Sequence, residues 1–271
     1  MRIRQYIFVY FIYYIGLFIS VLSRPTKIMT IYDVGQGDAI SIAASRQRVL
    51  VDGGGSFEIE RYLDDNIGLF NRFDQSNIFL THPHADHLVG INRLLLHSFK
   101  NTLTFNDVEY DSKLNFDFME LSKNNYIKNA VAGDIFYFKD FTLTVLWPTE
   151  KVLKSNLDNV NNYSVVLLLD AGEFEALLTG DAEIDALSSI DFDYLSSLID
   201  MPLEVLKVPH HGSRTGLFGP MYDILEPKYC VISVGVDNSY GLPHAETLDY
   251  LIDVGCEILR TDQDGSIKFD F

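Results

Sequence analysis

The sequence predicts an α/β fold, and three observations predict it. From about residue 27 onward, strand-like apolar runs alternate with turns and helical segments. Aspartate, glycine and histidine gather where those runs stop, the place where β/α folds carry their sites. The chain has 271 residues and is 47% hydrophobic, enough for a sizeable core. It shows neither a repeat of about 20–50 residues nor a linker rich in proline, glycine or serine. One domain over residues 27–271 is therefore expected, behind a separate N-terminal element over residues 1–26.

That N-terminal element pairs a short basic stretch, Met1-Arg2-Ile3-Arg4, with an uncharged apolar run over residues 6–22. The run is longer than the usual apolar core of a signal peptide and short for a membrane span. Its tyrosines Tyr6, Tyr10, Tyr13 and Tyr14 suit a membrane interface. Val21 and Ser23 precede a possible cleavage point, so a cleaved signal peptide and a single uncleaved anchor both fit. Arg2 and Arg4 imply an inside N-terminus and an extracytoplasmic domain, membrane-anchored or secreted, with Arg24 and Lys27 reducing the asymmetry.

Beyond it, residues 27–34 read as a strand closed by the turn Gly35-Gln36-Gly37-Asp38, and residues 39–43 and 48–52 as two more, the second running into Gly53-Gly54-Gly55. Residues 57–67 read as a helix, and a further apolar strand-like run leads into a helix over residues 86–96. Later strands are expected at residues 141–146, 164–169, 176–178, 205–208, 229–234 and 266–269. Cys230 and Cys256 lie in apolar runs without C-x-x-C spacing. Buried free thiols are the expectation, with a disulfide as the alternative for a domain outside the cytoplasm.

The densest chemistry is Leu80-Thr81-His82-Pro83-His84-Ala85-Asp86-His87. Imidazole and carboxylate are costly to bury unpaired, and this run offers no apolar face to a core. As metal ligands these residues make sense. Side chains two apart at a strand end point the same way, so His82 and His84 can share one ion, while Asp86 and His87 turn toward a second as the helix begins. Thr179-Gly180-Asp181 ends another apolar run in a carboxylate, with Gly180 allowing close backbone approach, and beside the histidine cluster Asp181 reads as a bridging ligand. Val208-Pro209-His210-His211-Gly212 stops in adjacent histidines, one able to bind metal while the other holds an oxyanion or orients a ligand. Asn161-Asn162-Tyr163-Ser164 is either a polar turn or a presenter of amides to substrate, and in the loop over residues 238–244, Tyr240 and His244 are within reach of a substrate. The net charge of −17 counts against tight sequence-independent DNA binding, which rests on Lys and Arg contacts to phosphate. It leaves room for a polyanion drawn to a locally cationic metal centre.

Taken in order, Asp33-Val34-Gly35-Gln36-Gly37-Asp38-Ala39, Val51-Asp52-Gly53-Gly54, Thr81-His82-Pro83-His84-Ala85-Asp86-His87, Asn161-Asn162-Tyr163-Ser164, Thr179-Gly180-Asp181, Lys207-Val208-Pro209-His210-His211-Gly212-Ser213 and Asn238-Ser239-Tyr240-Gly241 resemble the metallo-β-lactamase-fold hydrolases. Within these, residues 28–271 are similar to the extracytoplasmic domain of the competence DNA-internalisation (ComEC-type) proteins. The resemblance implies a four-layer αβ/βα sandwich with a dinuclear site at one edge of its two sheets. It implies His82 and His84 on one ion, Asp86 and His87 on the other, Asp181 as the bridge and His211 as the last ligand. Asp86, His210 and His244 are the implied catalytic groups, Asp86 orienting water and His210 lying nearer the substrate oxyanion. Mixed imidazole and carboxylate ligation suits two zinc ions and tolerates manganese. Such ions, about 3.5–4 Å apart, hold a hydroxide between them by lowering the pKa of bound water to about 7.

The implied activity is that of a phosphodiesterase or nuclease, on DNA or on a smaller or cell-surface phosphodiester. The alternatives are hydrolysis of another ester, thioester or lactam bond, and a non-catalytic, membrane-tethered binding module. Two departures stand out. Only one apolar segment precedes the hydrolase-like region, so the chain is not expected to carry DNA across a membrane by itself. Leu242 stands where the family usually has a histidine, leaving His244 to take its place.

Overall fold

The computed structural model describes Tyr10, Tyr14 and residues 27–45, 47–66, 77–97, 101–155 and 157–271. Apart from those two tyrosines, the N-terminal element expected over residues 1–26 lies outside the described residues. The first half of the fold runs β1 (Lys27–Ile31), β2 (Ile40–Ala44), β3 (Gln47–Val51), α1 (Glu58–Asn66), β4 (Asn77–Phe79), α2 (Ala85–His97), β5 (Thr102–Thr104), α3 (Lys113–Ser122) and β6 (Tyr126–Lys128). The second runs β7 (Ile135–Tyr137), β8 (Thr142–Trp147), α4 (Glu150–Leu153), β9 (Val166–Asp170), β10 (Glu175–Leu178), α5 (Ile184–Leu187), α6 (Phe192–Ser196), β11 (Val205–Lys207), α7 (Gly219–Leu225), β12 (Tyr229–Ile232), α8 (Ala245–Asp253), β13 (Glu257–Arg260) and α9 (Thr261–Asp264). The last strand, β14 (Ile267–Asp270), returns to pair with β1.

Two seven-stranded sheets result, ordered β14-β1-β2-β3-β4-β5-β6 and β13-β12-β11-β10-β9-β8-β7. They share one plan. The first sheet pairs antiparallel as far as β3 and parallel from β3 to β6. The second pairs antiparallel from β7 to β10 and parallel from β10 to β13.

The four layers follow from period-two alternation of strands that are apolar on both faces. In β3, Val49 and Val51 enter the core between the sheets while Leu50 faces the helices of the first half. In β9, Leu167 and Leu169 point inward while Val166 and Leu168 meet the helices of the second half. Each such leucine, fully buried, contributes about 1.5–3 kcal/mol, so both faces of each central strand are held. Helix α2 presents Leu88, Ile91 and Leu95 at helical spacing to Leu50 and Ile78. It approaches the β3 end so closely that a Cβ on Gly90 would lie 1.9 Å from the Gly53 carbonyl oxygen.

The expected elements are found with shifted ends, and several were not expected. Strands β5, β6 and β7 have three residues each, too few for periodicity to register, and β6 is exposed throughout. The cysteine expectation is corrected: Cys230 and Cys256 form a disulfide. Parallel pairing sets Cys230 opposite Ile258, and Cys256, two residues before Ile258, shares its face of the sheet. Their separation of 26 residues in sequence carries no sign of this neighbourhood.

Candidate metal centre

The site lies beyond the ends of β3, β4, β10 and β11, the strands at which each sheet changes from antiparallel to parallel pairing. Asp52 follows β3, His82 and His84 follow β4, Asp181 follows β10, and His210 and His211 follow β11. The donor atoms of Asp86, His87, Asp181 and His211 all lie within 4.8 Å of one another, and so do those of His82, His84 and Asp181. Asp181 joins the two groups. Its Oδ2 lies 3.3 Å from His87 Nε2 and 3.8 Å from His82 Nε2, and its Oδ1 lies 3.4 Å from His211 Nε2. His211 Nε2 is also 3.3 Å from Asp86 Oδ2.

The rings are held from behind. His87 Nδ1 donates to Asp52 Oδ2 at 2.7 Å, and Asp52 is locked in turn by the backbone N–H and hydroxyl of Thr81 at 2.8 and 2.7 Å. His211 Nδ1 donates to the Ser233 carbonyl at 2.9 Å. His82 Nδ1 meets only hydroxyls, Thr81 Oγ1 at 3.1 Å and Ser164 Oγ at 3.3 Å. His84 is bonded to His82 at 3.0 Å and rests edge-on against Tyr110. Gly37 (φ +121°) passes beneath Asp86, where a Cβ would lie 1.9 Å from the Asp86 carbonyl oxygen.

Electrostatics follow from this packing. Burial alone would depress His87, yet the Asp181 and Asp52 carboxylates hold it well above its ordinary value. The same contest, with Asp181 and Asp86 as the anions, raises His211 to about 9. Burial would raise Asp181 and Asp86, but the imidazoles of His211 and His87 keep both below the usual carboxylate range. His82 and His84 are lowered by burial, which the nearby carboxylates do not offset.

His87 Nε2, His211 Nε2 and Asp181 Oδ1 are buried without a hydrogen-bond partner. Orphaned buried donors and acceptors are rare in native proteins. Here they converge, with the other nitrogen of each ring already committed, and imidazole plus carboxylate is a donor set for divalent cations. The residues fit a pair of metal ions.

The structure thus brings together His82, His84, Asp86, His87, Asp181 and His211, with His210 at the edge, its Nε2 3.9 Å from Asp181 Oδ2. The two adjacent histidines diverge because both take left-handed backbone conformations, φ 49° and 53°. His211 turns inward, while His210 Nδ1 meets Glu183 Oε1 at 3.2 Å and Thr215 Oγ1 at 3.0 Å. His244 is tied to the same loop, its backbone N–H donating to Gly212 and its Nδ1 accepting from the Arg214 N–H at 3.0 Å, and its ring bonds to no member of the cluster. Tyr240 is exposed, and Leu242 packs against the apolar cluster of the second sheet. Asn161 and Asn162 form a short turn and also serve the site: Asn161 Nδ2 donates to Glu183 Oε1, and Asn162 Oδ1 accepts from the Glu183 N–H.

Sequence reasoning assigned no role to Asp52, Glu183 or the buried pair Lys207–Asp38, whose Nζ and Oδ2 are 2.7 Å apart with Nζ also donating to the Gly180 carbonyl. A lysine inside the apolar run Val205-Leu206-Lys207-Val208 was the available signal for the last. Beside His84 opens a cleft of about 280 Å³ lined by Glu109, Tyr110, Asp158, Asn159 and Tyr163, with no lysine or arginine among its described lining residues.

Two helix-backed sheets with a His/Asp centre at one edge define an αβ/βα sandwich of the metallohydrolase type. Residues 32–235 match the Metallo-beta-lactamase superfamily, and the chain belongs to it. In sequence it is similar to ComE operon protein 3 of Bacillus subtilis, 28% identical over 258 residues that cover 88% of this chain and 32% of that protein. It is likewise similar to Recombination protein 2 of Haemophilus influenzae, 28% identical over 263 residues that cover 92% and 29%. The chain thus spans about a third of the length of the curated relatives it matches. Among solved structures, the metallo-beta-lactamase fold protein YhfI of Bacillus subtilis shares the fold, with a TM-score of 0.59 at 13% identity, over 90% of this chain and 99% of that one.

Proposed function

We propose that the chain is a metal-dependent phosphodiesterase. The observation that carries this reading is the convergence of His87 Nε2, His211 Nε2 and Asp181 Oδ1, buried and unpartnered. His82, His84, Asp86, His87, Asp181 and His211 would hold two divalent cations, which supply Lewis acidity toward a phosphoryl oxygen and acidify a water to a pKa of about 7. Zinc suits the donors best and manganese is the second choice. Asp86, half-buried at the start of α2, orients the attacking water. As the imidazolium, His210 would turn Nε2–H from Asn161 Nδ2, 3.5 Å away, toward the substrate and give that proton to the departing alkoxide, leaving the neutral ring. Its Nδ1–H is held by Glu183 and Thr215, which fixes the ring for that transfer. His244 accepts at Nδ1, so its neutral ring carries the proton on Nε2 and offers it to a non-bridging phosphoryl oxygen.

The substrate is a small or cell-surface diester rather than long DNA. Net charge of −17 and a cleft walled by Glu109 and Asp158, with neither lysine nor arginine among its described lining residues, favour this choice. We place the domain outside the cytoplasm, attached or exported through residues 1–26. The disulfide Cys230–Cys256 fits an oxidising compartment.

The test is hydrolysis of bis-p-nitrophenyl phosphate by the full-length chain, metal-stripped and then restored with zinc or manganese. Restored turnover, lowered at least about 100-fold by Asp181→Ala, is expected. Turnover confined to lactones, thioesters or β-lactams would overturn the phosphodiester reading.

A further inference from the structure

The two halves of the centre are built unequally. The group Asp86, His87, Asp181 and His211 offers four donors, two of them carboxylates, and all but Asp86 are buried. Four protein donors around one divalent ion make the closed arrangement of sites that retain their metal, whereas three leave a position open to water or substrate. The group His82, His84 and Asp181 offers three donors, and its only carboxylate is the one it shares.

Support from behind differs in the same direction. His87 is backed by the Asp52 carboxylate and His211 by the Ser233 carbonyl, whereas His82 is backed by two neutral hydroxyls. A carboxylate or carbonyl on the far nitrogen fixes the ring and raises its basicity, and losing such a partner costs about 10–100-fold in metal affinity. Behind Asp181, Lys207 Nζ grips the carbonyl of Gly180 while paired with Asp38, which steadies the strand end. Among the described residues His84 is anchored only by His82 and the edge of Tyr110, its Nδ1 lying 3.0 Å from His82 Nε2, close to the spacing of two donors on one ion. His84 also borders the cleft that opens beside the centre.

We propose that the ion held by Asp86, His87, Asp181 and His211 is a resident one, and that the ion held by His82, His84 and Asp181 is exchangeable and sits at the substrate-accessible position. The inference rests on the metal-centre reading above and adds an order of occupancy to it. Binding of the second ion then sets activity at limiting metal, and the first ion alone keeps the strand ends together.

The experiment is equilibrium titration of the metal-stripped, full-length chain with zinc, reading ions bound per chain by elemental analysis. Two steps are expected, the first about 10–100-fold tighter than the second. His84→Ala should delete the weaker step and leave one tightly bound ion per chain. Cobalt(II) gives a readout independent of any variant: the first equivalent should develop the intense visible bands of a four-coordinate tetrahedral ion, and the second should add weaker ones. Two equal steps, loss of the tighter step in His84→Ala, or tetrahedral bands appearing only with the second equivalent would each overturn the order of occupancy while leaving the dinuclear centre intact. Failure to bind any ion would overturn the centre itself.

Discussion

Glu183 is the residue on which the role of His210 turns. The hydrogen bond from His210 pulls its carboxyl down to about 2 against the opposing effect of burial, so a full negative charge faces the ring at neutral pH. Glu183→Gln keeps the shape and the contact to Asn161 but removes that charge. We expect kcat to fall about 10–100-fold for diesters with alkoxide leaving groups, and much less for p-nitrophenyl esters, whose leaving group needs no proton. Metal content should stay unchanged, and kinetics beside elemental analysis checks both.

A second glutamate acts on stability. Burial raises the carboxyl of Glu175, and Asp200, Asp170 and Glu204 add repulsion that one backbone hydrogen bond from Asp200 does not cancel. An acid raised in the folded state binds its proton more tightly there than in the unfolded chain, so stability falls as pH rises through that window. Glu175→Gln, which can still accept from the Asp200 N–H, should therefore raise Tm by a few degrees at neutral pH and lose its advantage below about pH 4. Thermal melts of the two proteins across pH would show it.

The residues that converge at the centre were legible as a cluster because histidine and aspartate at strand ends have no packing role to explain them. Asp52 and Lys207 were not, since their partners His87 and Asp38 lie far away in the chain and meet them only through the sheet ends.

At the scale of elements, the centre depends on how closely α2 sits on the end of β3. Gly53 donates its N–H to the His87 carbonyl, Gly90 donates to Gly54, and the missing Cβ of Gly90 is what allows the approach. Gly90→Ala would force the helix away from backbone that cannot yield. Overpacking of this kind costs about 1–3 kcal/mol, and here the displaced helix carries Asp86 and His87 in its first turn. The expected outcome is a lower Tm together with weaker zinc retention, measured by melting and by dialysis against a chelator. A substitution that lowers Tm alone would mean the ligands do not depend on this contact.

Long apolar strands such as β8 and β9 announced themselves in sequence, as did α2 with its regular apolar face. The edge strands β6 and β7 did not, because they are three residues long, β6 being exposed throughout and β7 turning only Phe136 toward the core.

For the molecule as a whole, sequence resemblance supplied the four layers, whereas the shared pairing plan of the two halves was invisible to it. That plan repeats in topology and not in residues, since either half needs only apolar strands and a polar strand end. What the whole sequence did carry is charge, and charge has a measurable consequence for substrate choice. A protein of net charge −17 repels a polyanion over a distance set by ionic strength, about 30 Å at 0.01 M and about 8 Å at 0.15 M. Near the centre, Lys207 is buried against Asp38, and the exposed Arg214 shares its surroundings with Glu246 at 4.0 Å, which offsets its charge toward a chain of phosphates. Adding salt should therefore raise kcat/KM for a short single-stranded oligonucleotide while leaving that for bis-p-nitrophenyl phosphate nearly constant. A protein that grips nucleic acid through lysine and arginine behaves oppositely, because each phosphate contact releases a counterion and log affinity falls with log salt at a slope of about −0.9 per contact on duplex DNA and about −0.7 on single strands. Measuring the ratio of the two rate constants between those ionic strengths separates the cases. A rising ratio supports a small or surface diester as the substrate that this acidic molecule evolved around, and a steep fall would return polynucleotide to first place.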